Sequence, residues 1–212
     1  MIINKSTQDI IRVLLNENAK LSILELSEKA NVSVGMAFKI IGALESTGQL
    51  EKKRGIKVVS YEKLLKAWSL TVSIKENRKI EFLGAERPQY LIKKIGELLR
   101  NTTYAFTLFS ATELVAPYTA PDKVHLYILK GDEKKVSRLF GKEGITPAET
   151  GNIVCYLVDE SHFYGSKEVN EIKVISMPQL YVDLISYGGR GEESAEQILK
   201  ILMDSQNKPD LL

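Results

Sequence analysis

Leu26-Ser27-Glu28-Lys29-Ala30-Asn31-Val32-Ser33-Val34-Gly35 runs from an apolar helical face through a small residue and a turn residue to a helix cap. Ala30 is small enough for two helices to cross closely. Asn31 tolerates the left-handed backbone of a tight turn, and Val32 fills the space between the helices. Ser33 satisfies the free amides where a new helix begins. The spacing predicts that helix over about Ser33 to Thr47, with Ala37, Ile40, Ile41 and Leu44 buried and Gly48 ending it. Upstream, Ser22 caps a shorter helix with Glu25 at the capping-box position. Before that, Ser6 is expected to open a first helix, with Asp9 as a carboxylate near its positive end. Ile10, Ile11, Val13, Leu14 and Leu15 form its apolar stripe, and Asn16-Glu17-Asn18 ends it. Downstream, Leu50 to Val59 reads as strand, tight turn at Arg54-Gly55, and strand.

Three short helices followed by a basic hairpin are the order of a winged helix-turn-helix. The expected DNA-facing positions are Ser33, Val34, Gly35, Met36 and Lys39 on the third helix, with Lys52, Lys53, Arg54 and Lys57 on the hairpin. Lys39 is the strong base-edge donor and Ser33 a weaker one, Val34 and Met36 suit a thymine methyl, and Gly35 lets the backbone approach closely. The four hairpin cations suit phosphates. So few bidentate donors imply weak discrimination by one copy, and hence two copies, a homodimer on DNA, over a repeated or inverted operator. The other reading of the same elements is a protein–protein interaction module without DNA readout.

Composition agrees with a two-part chain. Of 212 residues, 44% are hydrophobic and 26% charged, with a net charge of +2. Residues 1–60 hold nine Lys/Arg against six Asp/Glu, and the remainder twenty against twenty-one. A mildly basic small unit joined to a near-neutral larger one fits a DNA reader with a second module. No apolar run is long enough to span a bilayer, and Met1-Ile2-Ile3-Asn4-Lys5 lacks the apolar core of a signal peptide, so no membrane partner is expected. One cysteine, Cys155, permits no internal disulfide and fits the cytoplasm. With His125 and His162 it supplies too few ligands for a Cys/His zinc site, and no metal or cofactor is expected.

The expected fold class is α+β: the winged helix-turn-helix at 1–60, a linker helix at 61–75 carrying Leu64, Leu65 and Trp68, and an α/β domain at 76–205 with one mixed sheet and covering helices. Strands are expected at Lys79–Ala85, Tyr104–Phe109, Lys123–Leu129 (of alternating character), Ile153–Val158 and Glu171–Ile175. Helices are expected after Pro88 (Tyr90, Leu91, Ile95, Leu98 and Leu99 on one face), and at Ser110–Tyr118, Asp132–Phe140, Met177–Tyr187 and Glu193–Met203. The tail Gln206–Leu212 is expected to fray.

Two stretches carry a family resemblance. One is Gly55-Ile56-Lys57-Val58-Val59 followed by Leu64-Leu65-Lys66-Ala67-Trp68. The other is Pro178-Gln179-Leu180-Tyr181-Val182-Asp183-Leu184 followed by Gly188-Gly189-Arg190-Gly191-Glu192-Glu193-Ser194-Ala195-Glu196. With the N-terminal pattern they resemble the AbiEi-type antitoxins of bacterial and archaeal abortive-infection systems. The resemblance implies a repressor of its own operon whose C-terminal domain carries the antitoxin function. It implies a nucleotidyltransferase-like toxin, opposed without a stable complex. Many relatives are stand-alone regulators, and no catalytic residue is carried over.

Catalytic patterns are weak, and an enzyme is not expected. Pro121-Asp122 and Glu171-Ile172-Lys173 spell a nuclease-like pattern, but nearly fifty residues separate the halves. Gly165-Ser166 lacks the carboxylate pair a nucleotidyltransferase needs. Asp159-Glu160-Ser161-His162 reads as a surface turn rather than a site. Gly188-Gly189-Arg190-Gly191 reads as a helix connection whose glycines take positive φ, with an anion-binding loop as the alternative. Cys155 reads as a buried strand residue, and Tyr181 and Tyr187 as packing residues.

Overall fold

The computed structural model describes residues 4–17 and 19–207. It shows a mixed α/β architecture of helices with a two-stranded and a seven-stranded sheet. The chain opens with α1 (Lys5–Asn16), α2 (Ile23–Lys29) and α3 (Val34–Ser46), then a hairpin of β1 (Leu50–Glu51) and β2 (Lys57–Val58), and α4 (Tyr61–Ser69). The cap of α1 is Asn4 rather than the expected Ser6, because the Asn4 side chain reaches the Thr7 amide at 3.0 Å. Asp9 is therefore not a solvent-facing dipole partner. It is buried and accepts from Arg12 at 2.5 Å. Asn18, expected in the stop of α1, lies outside the described residues, as do residues 208–212 of the expected tail.

The second half contains β3 (Lys79–Leu83), α5 (Pro88–Leu98), β4 (Tyr104–Phe106), α6 (Leu108–Val115), β5 (Val124–Leu129), α7 (Glu133–Gly141), β6 (Thr146–Ala148), β7 (Ile153–Val158), β8 (Lys167–Val169), β9 (Ile172–Val174), α8 (Met177–Tyr187) and α9 (Arg190–Asn207). The sheet order is β6-β3-β7-β5-β4-β9-β8, parallel at β7–β5 and β4–β9 and antiparallel elsewhere. One face carries Phe82, Leu126, Ile128 and Cys155 under α5 and α7, with Phe82 edge-on to Phe140 at 4.9 Å. Cys155 is fully buried, and burial pushes its thiol well above the usual range, which keeps it protonated and inert.

Several expectations change here. The aromatic strand Tyr104–Phe109 stops at Phe106, because Leu108 takes a positive φ of 48° and the chain turns into α6. β5 does not alternate in burial: central in the sheet, it is covered on both faces. Tyr90 leaves the apolar face of α5 and is 70% exposed. β6 and β8 had no apolar signature. They are three-residue edge strands held by pairing to β3 and β9.

The two halves meet at a polar seam. Leu64, Leu65 and Trp68 of α4 are buried, and α4 packs on both α1 and α8. Beside them the Arg12 guanidinium, 2% exposed, donates to Asp9, to Gln179 Oε1 at 3.1 Å and to His162 Nδ1 at 3.4 Å, and lies over the Trp68 ring. Gln179 donates in turn to Asp183, as does Thr107 at 2.6 Å. His162, expected in a surface turn, is part-buried: it faces Arg12 and packs on Tyr127 at 4.3 Å. Gly165 of the Gly165-Ser166 pair touches α1. A Cβ there would sit 2.3 Å from Asn16 Oδ1, and its φ is +75°.

Candidate nucleic-acid interface

The candidate surface is built on α3. Ser22 Oγ accepts from the Glu25 amide while Glu25 accepts from the Ser22 amide, closing a complete capping box on α2. Ala30 is buried, and Asn31 makes the turn with φ 51°. Ser33 Oγ then accepts from the Met36 amide at 3.3 Å and fixes the start of α3. Ala37, Ile40, Ile41 and Leu44 are the buried face of this helix, as their spacing requires. Gly48, at φ 71°, ends the turn after it. The opposite face therefore presents Ser33, Val34, Gly35, Met36 and Lys39 to solvent. A Cβ on Gly35 would meet nothing within 4 Å, so packing does not demand glycine there.

The hairpin stands beside α3. Leu50 pairs with Val58 and Glu51 with Lys57. The turn passes through Arg54 at φ 55° and Gly55 at φ 107°. The Ile56 amide donates to the Leu21 carbonyl at 2.7 Å, which anchors the returning strand to the segment between α1 and α2. Gly55 is needed here twice over: its φ is positive, and a Cβ would lie 3.0 Å from Lys20 Cβ.

The four hairpin cations are not equivalent. Lys52 pairs with Glu45 of α3 at 2.7 Å and lies 5.2 Å from the centre of the Phe38 ring. Lys53 pairs with Glu51 at 2.9 Å, and that hydrogen bond raises the lysine and lowers the carboxyl from their ordinary ranges. Arg54, Lys57 and Lys39 are exposed and form no ion pair among the described residues. Sequence reading missed Phe38, which is 60% exposed in the middle of the outer face. Its signal was its place between buried Ala37 and Ile40, about a hundred degrees off the apolar stripe.

The charged groups of the nuclease-like pattern are each committed to other partners. Asp122 pairs with Arg190 at 3.2 Å, Glu171 pairs with Arg100 at 2.7 Å, and Lys173 donates to the carbonyls of Arg100 and Thr102. Arg190 also lies over Phe109. Gly188 and Gly189 take φ of 81° and 56°, and a Cβ on Gly191 would lie 2.3 Å from the Leu184 carbonyl oxygen. The glycines thus let α9 fold back closely on α8. Among the described residues, no group of three His, Cys, Asp or Glu side chains is placed to hold a metal ion. No helix among them is long and apolar enough to cross a membrane.

A family model described as "Transcriptional regulator, AbiEi antitoxin, Type IV TA system" matches residues 57–204, most of the chain. The chain belongs to that family. The match begins at β2 and runs into α9, so α1 to α3 lie before it. No curated protein and no solved structure matches the chain. Membership supports a regulatory, DNA-linked role in general terms.

Proposed function

We propose that residues 5–58 are a winged helix-turn-helix and that the chain is a sequence-specific transcriptional repressor of its own operon, acting as an antitoxin. The observation that carries this reading is the pairing of two surfaces. The capped outer face of α3 bears Lys39, and the hairpin beside it, tied to α3 through Lys52 and Glu45, offers Arg54 and Lys57 without internal partners. In this reading α3 enters the major groove from its Ser33 end, and the hairpin rests on the phosphate backbone. Lys39 is the residue that reads a base edge, with Ser33, Val34 and Met36 around it. One such helix discriminates weakly, so the operator holds two copies on repeated or inverted half-sites. The toxin is opposed without a stable complex.

A second reading rests on a specific observation. Val34, Met36 and Phe38 are 47%, 37% and 60% exposed on the same helix, an apolar share that also suits a protein partner. Fluorescence anisotropy of the full chain on the duplex upstream of its own gene, across a salt series, separates the two. The DNA reading expects tight binding that weakens linearly in log–log against salt, and footprinting with two protected half-sites. Equal affinity for own and scrambled duplexes, insensitive to Lys39→Ala, favours the protein-interaction reading.

A further inference from the structure

A cleft of about 250 Å³ opens on the sheet face away from α5 and α7, beside the C-terminal end of α8. It is lined by Lys75, Lys79, Lys123, His125, Tyr156 and Tyr187, with Glu81 between the lysines. The register explains the grouping. Lys79 lies opposite Tyr156, Glu81 opposite Val154, and His125 beside Val154, so strand alternation turns all five toward one side. Burial alone would raise the Glu81 carboxyl, but the Gly151 amide at 3.0 Å and Lys79 at 2.6 Å more than offset this and hold it below the usual range. Lys123 adds its charge at 3.9 Å. Three lysines against one such carboxylate leave a net charge of +2 around the cleft. Nearby Asp122 is paired with Arg190.

His125 supplies the second, independent observation. It is 3% exposed, stacked on Tyr156 and edge-on to Tyr187. The Tyr156 hydroxyl lies 3.3 Å from Nδ1, and in the tautomer in which it donates there the ring carries its proton on Nε2. Nε2 is buried and has no hydrogen-bond partner among the described residues. A buried ring nitrogen without a partner is costly, and in the Nε2–H tautomer a ligand oxygen relieves it.

We propose that this cleft binds a small phosphate monoester, with Lys75, Lys79 and Lys123 around the phosphoryl oxygens and the His125 Nε2–H donating to one of them. The charge of the cleft matches a dianion, and lysines act on phosphate as point charges that tolerate varied geometry. The volume falls below the roughly 300–1,000 Å³ of drug-sized sites, which suits a compact ligand. A duplex backbone phosphate carries a single charge and sits on a wide cylinder, a poor match to a donor buried in a cleft floor. The site lies apart from α3 and the hairpin, so it does not depend on the DNA reading.

Among its 212 residues the chain has only two histidines, which makes imidazole ¹H–¹⁵N correlations of the full-length protein a direct test. Tyr156→Phe identifies the His125 signals by removing the Nδ1 partner. Adenosine 5′-monophosphate and inorganic phosphate are expected to move His125 while leaving His162 in place. Lys75→Ala combined with Lys123→Ala is expected to weaken both probes by about tenfold, with the His162 signals of the free protein unchanged as the sign of an intact fold. The proposal is overturned if neither probe moves His125, or if the double lysine variant binds with parental affinity. Displacement by a short DNA duplex at lower concentration than the monophosphate would reassign the cleft to nucleic acid.

Discussion

On the outer face of α3 and at the hairpin turn, Lys39, Arg54 and Lys57 are exposed and form no ion pair among the described residues. At the seam between α1 and α8, Arg12 is 2% exposed and committed to Asp9, Gln179 and His162. Both regions are rich in charge, but charge plays opposite parts in them. In the seam the guanidinium is part of the interior, where desolvation is recovered only if every partner stays in place. On the α3 face the cations remain hydrated and cost the fold little, which leaves them available to a polyanion. Lys52 and Lys53 stand between the two cases: they are on the surface, yet each already has a carboxylate. Counting basic residues along a sequence treats all of these alike, and the structure separates them.

Breaking the seam should have the largest effect. Arg12→Met leaves Asp9 without its cation, and removing one partner of a buried pair typically costs about 3–5 kcal/mol. Urea unfolding should show a loss of that size, and Asp9→Asn in the same chain should restore a large part of it. A loss comparable to that of a surface lysine substitution would mean that the seam opens to water.

A second expectation concerns Asp183, fully buried at the same seam. Burial pushes its carboxyl up to about 6, against the hydrogen bonds from Thr107 and Gln179 that favour the charged form. Because this folded value lies above the unfolded one, the native state binds the extra proton between about pH 4 and 6. The contribution of Asp183 to stability is therefore present at low pH and is lost as pH rises through 6. His125, pushed down to about 4 by burial, and His162, also shifted down by burial, act in the opposite direction. The difference between Asp183→Asn and the parent isolates the carboxyl. The variant should gain on the parent by roughly 2–3 kcal/mol between pH 4 and 7. A difference that stays flat above pH 5 would place Asp183 among ordinary carboxylates.

The smallest effects belong to the outer face, and they sharpen the distinction among its cations. Arg54→Ala and Lys57→Ala should each lower the slope of log affinity against log salt by about 0.9 on DNA. Lys53→Ala should lower it less, because its charge is already shared with Glu51. None of the three should move the unfolding midpoint measurably. Equal slopes for all three variants would show that the Lys53–Glu51 pair does not persist in solution.

Much of the local structure is legible in the sequence. The 3.6-residue spacing of Ala37, Ile40, Ile41 and Leu44 sets the face of α3, because a helix can bury only one stripe. Ser22 with Glu25, Ser33, Asn31 and Gly48 mark ends and turns through hydrogen bonds and backbone preferences that involve only near neighbours. The extent of α8 and the positive φ at Gly188 and Gly189 follow for the same reason. What the chain places far apart was decided by tertiary structure alone. His162 reads as part of a surface turn, and only the contact with Arg12, itself held by Gln179 of α8, draws it partly inside. The sheet order β6-β3-β7-β5-β4-β9-β8 depends on pairings between strands of which two have no apolar pattern of their own. On the candidate interface the residue types and their helix were visible in the sequence. The outward turn of Phe38 was legible in the same helical spacing, whereas the carboxylates that occupy Lys52 and Lys53 follow from side-chain reach, which spacing along one chain does not encode.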